Sequence, residues 1–164
     1  MTANTDSGTT GEYKVDLKGM FQFNATQCEL RLYRPPFFES HLSGGDDAGN
    51  ASFVDFFYIR EIQKGKEYKL YPDRNDDLPS DSAVSFYFRT ADGVQWHPVS
   101  GGTVRVSNID AVKNEIEVVF KCTVESDRGE PKRVDVTGSA NLSGLSKLSV
   151  LDEVETQFKL RSKK

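Results

Sequence analysis

Side-chain polarity alternates with a period of two over most of this chain. Near the start Tyr13, Val15, Leu17, Gly19, Phe21, Phe23 and Ala25 hold one parity, and Lys14, Asp16, Lys18, Met20, Gln22 and Asn24 hold the other. A strand sends successive side chains to opposite faces, so the pattern predicts half-buried β-structure, with Gly19 bending one long strand or marking a bulge where it serves two sheets. Cys28, Leu30 and Leu32 continue the alternation until Pro35-Pro36, which cannot donate to a ladder. Phe37 to Asn50, with its run Ser43-Gly44-Gly45-Asp46-Asp47, reads by composition as a surface loop. Phe53 to Ile59 is apolar on both parities, as expected of a strand covered on both faces or one that meets a partner.

Further along, Lys64-Gly65-Lys66 turns the chain into Tyr68 and Leu70. Ala83 to Arg89 alternates again, and Asp92-Gly93 reads as a hairpin turn into Val94 to His97. Gly101-Gly102 opens a strand at Thr103 to Ile109, Lys113-Asn114 turns it, and Ile116 to Val124 and Val134 to Leu142 give two further strands. Val154, Thr156, Phe158 and Leu160 predict a last one, with a short helix lined by Leu148, Leu151 and Val154 as the alternative. No stretch is helical in pattern over three turns. About nine or ten strands separated by turn signals predict an all-β, single-domain antiparallel β-sandwich, with a flattened β-barrel as the alternative.

The 164 residues suit one domain with its own core. Residues 1–11 are small and polar and read as a flexible leader, 12–161 as the sandwich, and 162–164 as a basic tail. With 21 Lys+Arg against 25 Asp+Glu the net charge is -4, so no cationic field gathers a nucleic acid. No apolar run predicts membrane insertion, and Met1 to Gly11 lacks the basic start and apolar stretch of a secretory signal; the reading is a cytoplasmic protein. Cys28 and Cys122 are too few for a disulfide scaffold and lack zinc-site spacing. Both read as core thiols, with a bridge between them the less favoured alternative.

The segment Ser100-Gly101-Gly102-Thr103-Val104-Arg105-Val106-Ser107-Asn108-Ile109-Asp110, with Glu115 to Cys122 and Val134 to Ala140, resembles small bacterial β-sandwich domains that often occur as lipoproteins. The shared features are a Gly-Thr strand, a turn, an alternating apolar strand and a last strand ending in a Gly-Ser pair. The chain departs from them in lacking a lipid-attachment cysteine near its N-terminus and in carrying Glu117 where those domains tend to carry Gly. The resemblance implies a fold and no chemistry.

Ten of the eighteen aromatic residues lie between positions 53 and 96. If Tyr58, Tyr87 and Trp96 project outward from neighbouring strands beside His97, their rings form a binding surface for a protein partner or a glycan. The bland alternative is that most of these rings fill the core. Asp73, Asn75 and Asp77 have the spacing with which oxygen ligands begin a calcium loop. Leu78 stands where such a loop needs Gly, however, and Val84 where it needs Glu, so only a looser calcium site is open. No cofactor is expected beyond calcium at such a site. The two histidines, His41 and His97, have no third with which to build a zinc site, and no nucleophile elbow, phosphate loop or dinucleotide fingerprint is present. The expected function is a non-enzymatic binding module for a protein or carbohydrate, self-associating weakly through the doubly apolar strand. A calcium-dependent carbohydrate module and a small paired-carboxylate glycoside hydrolase are the alternatives.

Overall fold

The computed structural model describes residues 8–34, 39–70, 83–129 and 132–146. Among the described residues there is no helix, and the regular structure is ten strands: β1 (Thr10–Leu17), β2 (Phe21–Asn24), β3 (Gln27–Arg31), β4 (Glu39–Gly45), β5 (Ala51–Phe57), β6 (Glu67–Leu70), β7 (Ala83–Arg89), β8 (Gln95–Asp110), β9 (Glu115–Ser126) and β10 (Arg133–Ser143). They form one sheet in the order β2-β1-β10-β9-β8-β6-β7-β5-β4-β3, with β8 also paired to β7. All pairings are antiparallel except the single bridge Leu70↔Val84 between β6 and β7.

The fold class is therefore as the alternation predicts, while four local expectations change. Tyr13 to Ala25 is a hairpin and not one bent strand. Gly19 takes a φ of 79° in the turn, Met20 N–H donates to the Leu17 carbonyl, and Leu17 pairs with Phe21. The paired residues lie an even number of positions apart, so polarity parity passes through the turn without a break.

The expected loop from Phe37 to Asn50 contains β4. Its inward positions are Ser40, Leu42 and Gly44, so a single apolar side chain stands between a polar and a small residue, and the segment looks like loop in composition. Gly44 is required by the packing, since a Cβ there would stand 2.6 Å from that of Ala25 and 3.0 Å from that of Tyr13.

Gln95 to His97 and Thr103 to Ile109 belong to one 16-residue strand, β8, with Val94 just before it. Register shifts at Pro98/Ser100, Ser100/Thr103 and Val106/Asn108 bend it. Its start pairs with β7, its middle with β6, and β9 follows it throughout, which makes β8 the fold line of the sheet.

The leader is shorter than expected, because β1 begins at Thr10 and Thr9 is buried. The Thr9 hydroxyl donates to the Gly144 carbonyl at 2.7 Å and accepts the Leu30 N–H at 3.1 Å. The expected strand at Val154 to Leu160 and the basic tail 162–164 lie outside the described residues.

The flattened barrel is overturned, since no ladder joins the two ends of the sheet, β2 and β3. The chain passes from one to the other at Ala25 and Thr26, whose N–H groups donate to Tyr13 and Gly45 carbonyls. The sheet instead folds over into two layers. Rings from both fill the space between them: Phe23 on β2 meets Phe88 on β7 at 5.4 Å, and Phe86 on β7 meets Phe120 on β9 at 5.0 Å. Tyr13 OH crosses the core to Ser52 Oγ at 2.9 Å, and Ser52 in turn donates to the Tyr87 carbonyl. Cys28 and Cys122 are buried and unbridged.

Candidate functional site

The layer made by β3, β4, β5, β7 and the start of β8 turns its even-numbered side chains inward, among them Leu42, Val54, Phe56, Phe86 and Trp96. Its odd-numbered side chains therefore form the outer face. Strand register places Asp55 between His41 and Ser85, and Phe53 between Ser43 and Tyr87. On that face four rings run in an unbroken line across four strands. His41 lies 5.6 Å from Phe53, Phe53 5.4 Å from Tyr87, and Tyr87 5.7 Å from His97, all at tilted angles suited to aromatic contact. Phe53, Tyr87 and His97 are half-buried.

One end of this ladder is anchored by a pair of charged-type groups that is unusually secluded for an outer face. His41 Nδ1 donates to Asp55 Oδ1 at 2.5 Å, and the two residues are 9% and 7% exposed. Arg31 and Glu39 make an ion pair at 3.8 Å beside them. Holding Nδ1–H against the carboxylate fixes the imidazole plane and so the direction of the ladder. Asp55 sits between His41 and Ser85, so these residues do not form an array in which a histidine links a nucleophile to an acid. Replacing His41 with leucine leaves the Asp55 carboxylate buried without its partner and is expected to cost about 2–3 kcal/mol in urea unfolding. The double variant with Asp55→Leu should recover most of that loss. Equal stability of the wild type and the single variant would show that the pair does not hold this face together.

The structure brings together only two of the four ring residues expected from the sequence, Tyr87 and His97. Trp96 is corrected: it is 5% exposed and packs in the core opposite Phe88, because its parity on β8 is the inward one. Its indole N–H is buried and finds no hydrogen-bond partner among the described residues. Tyr58 is 58% exposed with φ 61°, past the end of β5. The calcium candidates Asp73, Asn75 and Asp77 lie outside the described residues. Among the described residues no three His, Cys, Asp or Glu side chains converge as a metal site requires, and no helix is long and apolar enough to cross a membrane.

Sequence reasoning missed Phe53, His41 and Asp55 as parts of one surface. The available signal was the apolar residue of the wrong parity, Phe53, in a strand whose other parity already supplies the core. His41 and Asp55 gave none, since their meeting depends on the β4–β5 register. No protein family, curated protein or solved structure matches the chain.

Proposed function

We propose that the chain is a non-enzymatic interaction module that engages a protein partner through the outer face of β4, β5, β7 and β8. The ring ladder from His41 through Phe53 and Tyr87 to His97 carries this reading. Rings already braced against one another lose little conformational freedom on binding and offer rigid area with polar tips, the kind of anchor that dominates protein interfaces. They lie along a sheet face and not across a groove, which favours a protein surface over a stacked sugar at this location. Weak self-association through the same face is the competing use.

The test places a photo-reactive phenylalanine analogue at position 87 in cells that natively produce the chain, with the same label at position 119, exposed on β9 of the other layer, as control. The expected result is one discrete heterologous adduct from position 87 alone. Excess wild-type chain should suppress it, while Phe53→Asp, checked for a wild-type Trp96 emission spectrum, should not. Equal labelling from both positions, equal competition by both chains, or an adduct made only with a second copy of the chain would contradict the reading.

A further inference from the structure

The outer face of the other layer has a different character. Register across five neighbouring strands aligns Gln22 on β2 with Asp16 on β1, Asp16 with Thr137 on β10, Thr137 with Lys121 on β9, and Lys121 with Thr103 on β8. The result is one straight row of five polar side chains perpendicular to the strands. Two adjoining depressions, of about 640 and 330 Å³, follow this row and share Asp16 and Thr137 as their common wall, so together they make one trough. The larger alone falls within the range of small-molecule sites.

We infer that this trough binds a neutral, linear oligosaccharide laid across the strands. The first support is the chemistry of the row. Carboxylate, carboxamide, hydroxyl and ammonium groups alternate along it, so proton acceptors and donors succeed one another, as the hydroxyls of a sugar chain do. The second is charge. The lining carries Lys14, Lys18 and Lys121 against Asp16 and Asp135, three cations to two anions, and the one lysine in excess is too little to hold a polyanion. The third is spacing. The row advances one strand about every 4.8 Å, close to the length of one pyranose unit in an extended chain, so each unit can meet one side chain of the row. Among the described residues Phe23 is the only aromatic that lines the trough, and its side chain is buried in the core. Recognition is therefore by hydrogen bonds without ring stacking, and affinity is modest. This site lies on the layer opposite the ring ladder and is independent of the protein-binding reading.

The experiment is a titration of the uniformly ¹⁵N-labelled full chain with cellohexaose, xylohexaose, chitohexaose and a heparin hexasaccharide at millimolar concentration. The expected result is that at least one neutral hexasaccharide shifts the amides of Asp16, Thr137, Lys121 and Thr103 while leaving Phe53 and Tyr87 unmoved. The double variant Asp16→Ala/Lys121→Ala should then weaken that binding about tenfold or more, with an unchanged amide spectrum away from the trough. Silence with all three neutral sugars, shifts confined to the ring-bearing face, binding of the sulfated sugar alone, or a double variant that binds as the wild type does would each overturn the inference.

Discussion

Replacing Gly138 with valine is expected to lower folding stability by about 4 kcal/mol, read as a large drop in the urea midpoint. Gly138 on β10 pairs with Val15 on one side and Phe120 on the other, facing the core. A Cβ at this position would overlap the Phe120 ring and stand 2.8 Å from the Lys14 carbonyl oxygen. The ring cannot retreat, because Tyr13 at 6.2 Å and Phe86 at 5.0 Å hold it from either side. The carbonyl is backbone of a paired strand and cannot retreat either. Ser139→Val, one residue along and on the outer face, should change stability by no more than about 0.5 kcal/mol. Similar midpoints for the two variants would mean that Phe120 does not occupy the space beneath Gly138.

A second large effect is expected at alkaline pH. Burial pushes the Cys28 thiol up to about 11 and the Cys122 thiol up to about 12, from an ordinary value of 9.0. Burial likewise raises the Tyr13 phenol, against a smaller opposing pull from the Ser52 hydroxyl. In the unfolded chain these groups release protons near their ordinary values, whereas the folded chain keeps them until higher pH. The folded state therefore holds more protons through this window, and its stability falls as pH rises. Stability should be level up to about pH 9 and then lose on the order of 5 kcal/mol by pH 12. The variant Cys28→Ala/Cys122→Ala should lose distinctly less over the same interval, and at pH 8 both wild-type thiols should react with a thiol reagent only once the chain is unfolded. Parallel pH profiles for wild type and variant would remove the thiols as the cause.

Much of the fold was legible in side-chain parity, because each layer has a dry inner face and period two is the direct consequence. Val134 to Leu142, Ile116 to Val124 and Ala83 to Arg89 were read in this way. Parity fails where a structural change leaves it intact, as at the Gly19 hairpin, whose paired residues keep the same parity as a continuous strand. It also fails where the core position is small or polar. β4 offers only Leu42 as an apolar inward residue between Ser40 and Gly44, and the reason for the glycine, the approach of Tyr13 and Ala25, belongs to the opposite layer. β8 was divided in two because Gly101-Gly102 resembles a strand opening, whereas Gly102 sits inside a bulged strand where a Cβ would press on Cys122.

The surfaces were less legible than the fold. The middle third supplies most rings of the layer that carries the ladder, and the alternation from Ala83 to Arg89 already separates Tyr87 from Val84, Phe86 and Phe88, whereas His97 reads from sequence only as the close of a strand at a turn. Trp96 was assigned outward although its neighbour His97 holds that parity, and adjacent strand residues cannot share a face. The polar row from Gln22 to Thr103 draws one residue from each of five strands, two of them near opposite ends of the chain. Only strand order and register reveal it.

The most direct measurement is the set of nuclear Overhauser contacts among ring protons in the folded chain. Contacts of Phe53 with both His41 and Tyr87, and of Tyr87 with His97, are predicted, with Trp96 touching Phe88 and none of those four. Contacts placing Phe53 against Leu42 or Phe86 in the core, or Trp96 beside Tyr87 on the surface, would contradict the ladder on which the proposed binding face rests.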